Sequence, residues 1–306
     1  MQPWKVGGVL LPFGPYMIGA GACKTLAQTV RWLKIAPVVS GSYTFKRRGG
    51  HAGKVSHPET LEEFLALGFG LNNYSMPNVG YEAIAGDSAQ LQSEQPLIAS
   101  IAGFCVEEYV TGVELFSKLE TVSAIELNFG CPNTQGDHPD IISFNPEVVK
   151  VILFELSKRF IEVPIWLKFS PYSNPAELKR MAEIVNGFAD LLNLTVVTCN
   201  TFPMAYDGEG KIDPQDGFAG LSGPVMKRIA LGQVKQFRGH LSSAVDVIGV
   251  GGITTGNDIV DFLNAGATAV QITSLAYWAG DPKSFQERLL DEETGSRFLK
   301  LLESNT

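Results

Sequence analysis

Cys131 is the residue of this 306-residue chain best placed for chemistry, in the stretch Asn128-Phe129-Gly130-Cys131-Pro132-Asn133. The stretch follows directly on the apolar run 123–127. A strand that runs into a Gly/Pro break presents its next residues at the rim of an α/β sheet or barrel, where such folds carry their chemistry. Asn128 and Asn133 flank the thiol, and each amide offers both donors and an acceptor. This combination suits a planar, amide-bearing ligand set beside a potential proton acceptor. The same residues also read as a buried cysteine in a turn, the usual fate of a cysteine outside a disulfide.

A second stretch points to an anion. Residues 247–258, Val-Ile-Gly-Val-Gly-Gly-Ile-Thr-Thr-Gly-Asn-Asp, read as a buried strand, a Gly251-Gly252 turn and a helix opening near Gly256. Consecutive glycines let backbone N–H groups turn inward around an anion. The next apolar run, 268–272, ends in Thr273-Ser274, two hydroxyls at the same rim. The loops after strands seven and eight are where barrels bind phosphate; a tight turn is the plainer alternative. Sugar phosphates and flavin mononucleotide (FMN) could both use such a corner. Lys168 bears on the choice, because it sits inside the apolar run Trp166-Leu167-Lys168-Phe169. A lysine there is costly unless paired. At the mouth of a barrel it can face the N1/C2=O edge of an isoalloxazine and stabilise the charge left by hydride gain; otherwise it pairs with an inward carboxylate such as Glu126.

Positioning these groups takes eight strands, expected at 15–20, 36–40, 96–101, 123–128, 164–169, 191–196, 246–250 and 268–272. Helical patterns lie between them at 23–33, 81–92, 106–119, 146–159, 176–188, 223–239 and 257–263. Asn145-Pro146-Glu147 and Asn174-Pro175-Ala176-Glu177 read as N-cap, first helical residue and first-turn acid. The count predicts a single-domain (β/α)8 TIM barrel, an α/β fold, over residues 1–306. A doubly wound open sheet competes less well, because no G-x-G-x-x-G follows an early strand. Two connections, about 43–81 and 199–221, are longer than a barrel needs and start at the C-terminal rim, which marks them as carriers of ligand contacts. The loop 134–141, with Gly136 and Pro139, reads as a lid.

Composition narrows the function classes. The chain is 45% hydrophobic and 18% charged, the balance of a globular protein. Its net charge of −8, with no basic run longer than Lys46-Arg47-Arg48, argues against nucleic acid. Cys23, Cys105, Cys131 and Cys199 form no C-x-x-C pair, so no zinc or iron–sulfur site is expected. No apolar run spans a bilayer, and no leader is visible, so a cytoplasmic protein without a membrane anchor is expected. His51, His57, His138 and His240 are scattered and receive no role. Tyr277 and Trp278 are read as packing against the terminal helix.

These motifs, in this order, resemble the dihydroorotate dehydrogenases, most of all their soluble class, over nearly the whole chain. Asn128–Asn133 is similar to the family signature Asn-x-Ser-Cys/Ser-Pro-Asn, with Gly130 in place of its serine. The run 72–80, Asn-Asn-Tyr-Ser-Met-Pro-Asn-Val-Gly, resembles the substrate loop, and Cys199-Asn200-Thr201, Lys168 and the run 216–223 also match. The resemblance implies an FMN barrel that oxidises dihydroorotate to orotate in pyrimidine biosynthesis, with Cys131 as the base that takes a C5 proton while C6 gives hydride to flavin N5. It implies substrate contacts from Asn72, Ser75 and Met76, from Asn128 and Asn133, and from Asn200 and Thr201. For the cofactor it implies Ala20 and Gly21 behind the ring, with Ser40 and Gly41 at the end of the second strand. Asn128 and Lys168 would stand at the ring edge, and Gly223, Gly251, Gly252, Thr273 and Ser274 around the phosphate. It further implies a homodimer, with a redox partner subunit as a possible addition, and no metal.

Two departures stand out. The family has a lysine at the end of the second strand where this chain has Ser40, and a serine where it has Ala20. Loss of that cation weakens anion binding beside the flavin, with Lys46 and Arg47 read as solvated. It keeps two alternatives open: an FMN-dependent oxidoreductase of another cyclic amide or dihydropyrimidine, and a non-catalytic flavin-binding paralogue.

Overall fold

The computed structural model describes residues 3–132, 141–206, 208 and 210–305. Eight parallel strands close into a barrel. They are β1 (Tyr16–Ile18), β2 (Val38–Tyr43), β3 (Leu97–Ile101), β4 (Val122–Asn128), β5 (Ile165–Phe169), β6 (Leu194–Thr198), β7 (Asp246–Val250) and β8 (Ala269–Ile272). The ring is sealed where β8 pairs with β1, with Gln271 opposite Met17. All eight predicted strands form, and β7 matches its predicted limits to the residue. Strands β3, β5 and β6 are buried at every position, as strands must be when side chains fill the barrel on one face and helices cover the other.

The helices begin as their caps dictate. Asn145 accepts a hydrogen bond from the Val148 amide at the start of Pro146–Ser157, and Asn174 accepts one from Ala176 at the start of Pro175–Asn186. Thr255 and Asp258 form a reciprocal capping box that opens Gly256–Ala265 directly after β7. The barrel interior is filled by Met17, Val39, Ile98, Trp166, Val197 and Ile248. An antiparallel hairpin, Trp4–Val6 with Val9–Leu11, closes the bottom. Gly7 N donates to Asp246 Oδ2 at 2.7 Å there, so the chemistry is left to the opposite, C-terminal rim.

The two long connections do not lie separately over that rim. Ser56–His57 and Gly70–Asn72 from the first join Phe202–Tyr206 and Phe218–Ser222 from the second in one four-stranded antiparallel sheet. The joint is Asn72 opposite Gly220 and Leu71 opposite Leu221. The first connection also contains the helix Leu61–Leu67, opened by a Thr60/Glu63 capping box.

Candidate active site

The end of β4 carries the site's first asparagine. Asn128 is buried at 8% exposure. Its Oδ1 accepts from Gly130 N at 3.2 Å and from Asn200 Nδ2 at 2.9 Å. Asn200 follows β6 and is held by its own amide, which donates to Phe169 O at 2.8 Å. The two strand ends are therefore tied by their side chains. Gly130 has no room for a side chain: a Cβ there would lie 2.7 Å from Ser170 N and 2.9 Å from the Phe169 carbonyl carbon. The serine of the family signature is thus excluded by the close approach of β5.

Cys131 is next, half-buried, and lines a cavity of about 400 Å3. Cys23 and Cys199 touch the same cavity, but burial pushes both thiols up to about 12. Those two stay protonated at neutral pH, so Cys131 is the cysteine on the cavity wall suited to accept a proton.

Nearly all of the predicted residues converge on this cavity. Asn72, Ser75 and Met76 reach it from the first rim connection, and Asn128, Asn200 and Thr201 from the strand ends. Ala20, Gly21 and Gly41 line it from the β1 and β2 turns, and Lys168 from β5. Gly223, Gly251, Gly252, Thr273 and Ser274 line it as well. Ser40 does not join them: it is buried in the wall and its hydroxyl bonds to the Tyr43 hydroxyl. Asn133 and the proposed lid up to residue 140, with His138, lie outside the described residues.

Gly252 has a φ of +76°, and a Cβ there would lie 2.6 Å from Lys227 N. Lys227 opens the 14-residue helix Lys227–His240, so the turn packs on the positive end of a helix dipole. Thr273 Oγ1 is buried and has no hydrogen-bond partner among the described residues.

Lys168 makes the pairing with an inward carboxylate that its sequence position suggested as an alternative. It lines the cavity, and its Nζ lies 3.6 Å from Glu126 Oε1 and 3.2 Å from Gln271 Oε1. The pair is deeply buried, with Glu126 at 0% exposure. A buried ion pair of this kind contributes little net stability, although removing one partner alone is costly.

Sequence reasoning missed Lys24. It stands three residues past Gly21 and lines the cavity. Its Nζ lies 4.0 Å from the centroid of the Tyr74 ring and 5.6 Å from that of Tyr277. Its side chain is exposed, yet the protein packed around its ammonium pushes its pKa down to about 8, against the pull of Cys131 and Cys23. Among the described residues, no carboxylate pairs with it. The signal available was a lysine directly after the first βα glycine turn. Tyr277 and Trp278 also need correction. Both line the cavity, and Trp278 stacks on Phe64 of the rim connection with centroids 4.4 Å apart, not on the terminal helix.

Among the described residues no cluster of His, Cys, Asp or Glu could hold a metal, and no helix is long and apolar enough to cross a membrane.

The fold and site define an α/β-barrel protein with a ligand cavity at the C-terminal rim, lined by the glycine turn after β7 and the Thr273-Ser274 end of β8. The family model for dihydroorotate dehydrogenase matches residues 9–292. Dihydroorotate dehydrogenase A (fumarate) of Lactococcus lactis is 28% identical over 289 residues, covering 91% of this chain and 88% of that protein. A putative dihydroorotate dehydrogenase A (fumarate) of Solibacter usitatus is 33% identical over 217 residues, covering 70% and 68%. Dihydroorotate dehydrogenase (fumarate) of Lachancea kluyveri is 30% identical over 253 residues, covering 79% and 76%. The chain belongs to the dihydroorotate dehydrogenase family.

Proposed function

We propose that this chain oxidises dihydroorotate to orotate in pyrimidine biosynthesis, using FMN and Cys131. The observation that carries the reading is one cavity that joins Cys131, the Asn128–Asn200 amide pair and the glycine corner of Gly251 and Gly252.

Bound FMN would supply the acceptor for the hydride leaving C6 of the substrate. The residues present fit it. Gly223, Gly251, Gly252 and Ser274 offer the phosphate corner, and Thr273 brings a hydroxyl that has no partner among the described residues. Lys168 keeps a positive charge on the wall where a ring edge would lie. Asn72, Asn128, Asn133, Asn200 and Thr201 hold the imide and carboxylate of the substrate, and Ser75 and Met76 border it. Cys131 takes the C5 proton. A thiolate is needed for that step, and the cation at Lys24 favours it.

Lys24 also answers the missing lysine of the second strand. It brings a cation into the pocket from the first βα turn, where it can meet the carboxylate of dihydroorotate. The relatives' names point to fumarate as the electron acceptor, and this dianion could use the same lysine. A homodimer is the proposed assembly: the rim strand Phe202–Tyr206 leaves Phe202, Met204 and Tyr206 exposed on one face. The cytoplasm is the proposed compartment, since no disulfide joins the four cysteines.

Stopped-flow mixing of the yellow protein with dihydroorotate and with a panel of other dihydropyrimidines tests the substrate. Fastest reduction by dihydroorotate supports the reading. Faster reduction by an uncharged ring favours the alternative, an oxidoreductase of another cyclic amide, to which the absence of a cation at Ser40 points.

A further inference from the structure

We propose that Glu126 fixes the direction of a hydrogen-bond chain that ends at the asparagines beside Cys131, and so determines what the site offers its ligand. The inference rests on the orotate reading of the cavity given above.

The direction follows from counting protons. An ionised carboxylate only accepts hydrogen bonds. Glu126 Oε2 accepts from Gln271 Nε2 at 2.6 Å, and Oε1 accepts from Ser100 Oγ at 3.0 Å. The single proton of Ser100 is therefore committed to Glu126. Ser42 Oγ lies 2.9 Å from Ser100 Oγ, so Ser42 must be the donor in that pair. With its own proton committed, Ser42 can only accept from Asn128, whose Nδ2 lies 2.8 Å away. This orients the Asn128 amide in the same sense as the backbone N–H of Gly130 does. Its Oδ1 points the other way and accepts from Gly130 N and Asn200 Nδ2. Asn200 is oriented in turn, and its Oδ1 accepts from Thr201 N at 2.8 Å.

The polarity runs without a break from the buried carboxylate to the rim. Each of the two amides keeps one N–H beyond those used in the chain. The strand-end asparagines are thereby set to give donors, which suits the carbonyl and carboxylate oxygens of orotate. With the chain reversed, they would turn oxygens toward oxygens. Glu126 touches no ligand in this scheme. It is a positioning residue that acts through Ser100, Ser42 and Asn128, and this adds a purpose for its buried pair with Lys168.

The test is a double-mutant cycle read by calorimetric binding of orotate to the cofactor-loaded protein. Ser42→Ala and Ser100→Ala each weaken orotate binding about tenfold, and the double variant is no weaker than either single one, since a chain is broken only once. Ser42→Thr and Ser100→Thr keep the hydroxyl and restore binding. Glu126→Gln, whose amide can donate as well as accept, weakens orotate to a similar degree; if that variant fails to fold, the serine cycle still decides. Additive losses, near a hundredfold in the double variant, or unchanged binding in the single variants, would overturn the proposal while leaving orotate as the ligand. Failure of the unmodified protein to bind orotate would remove the substrate reading and this inference with it.

Discussion

Lys24 Nζ lies 4.0 Å from the centroid of the Tyr74 ring, a cation over an aromatic face on the wall of the ligand cavity. The two residues come from different loops, the first βα turn and the rim connection. Such a contact holds a cation in place without neutralising it. Lys24 therefore remains available to an anionic ligand.

Replacing Lys24 by Met should weaken orotate binding by about tenfold to a hundredfold, the range for losing one charge-assisted contact. Binding of uracil, which lacks the carboxylate, should change little. Equal losses for both ligands would assign Lys24 a packing role.

The same lysine predicts a pH dependence. Burial lowers its pKa to about 8. Below that value it is a cation; above it, it is neutral. Orotate affinity in the unmodified protein should hold steady up to about pH 8 and then fall, approaching tenfold per pH unit. The fall should be absent in Lys24→Met, and a titration of both proteins from pH 6 to about 9.5 reads it.

Cys131→Ala should keep its yellow colour and lose about 100- to 10,000-fold of the rate at which dihydroorotate reduces the flavin, as expected when a general base is removed. Anaerobic stopped-flow absorbance measures it. Cys23 and Cys199 line the same cavity, but burial holds them as thiols near 12, so Cys199→Ala should retain the reaction. An unchanged rate in Cys131→Ala would exclude it as the base.

Gly130→Ala tests the close approach of β4 to β5. The added Cβ would meet Ser170 N at 2.7 Å. Overpacking against backbone costs about 1–3 kcal/mol, seen as a lower urea midpoint, and the shift should also displace Cys131 and slow flavin reduction. Wild-type stability would show that the turn can yield.

Gly252→Ala addresses the anion corner. Its φ of +76° and the 2.6 Å approach of Lys227 N leave no place for a methyl group. The variant should purify with less bound FMN, measured as the 450 nm absorbance relative to protein. Full occupancy would place the phosphate elsewhere.

Much of this was legible in the sequence. The barrel strands are short apolar runs closed off by turn residues, and that local signal sufficed to find β1 to β8. Asn145 and Asn174 announced their helices because capping is decided within one turn. The rim sheet was not legible, because Asn72 meets Gly220 across 148 residues and neither run alternates strongly enough to reveal a partner. Lys24 was overlooked because the rings it meets, Tyr74 and Tyr277, are both distant in sequence. Ser40 was placed in the site by its position at a strand end, but its hydroxyl is tied to Tyr43 and it is not among the residues that line the cavity. The direction set by Glu126 needs distances, which residue order does not supply.

The central claim is that one cavity sets a flavin beside Cys131 for oxidation of dihydroorotate. Anaerobic titration of the purified protein with dihydroorotate, followed by its visible spectrum, tests this most directly. The account predicts bleaching of a flavin band with formation of one orotate per flavin reduced. A protein that stays yellow through excess dihydroorotate, or that purifies colourless and takes up no FMN, would contradict it.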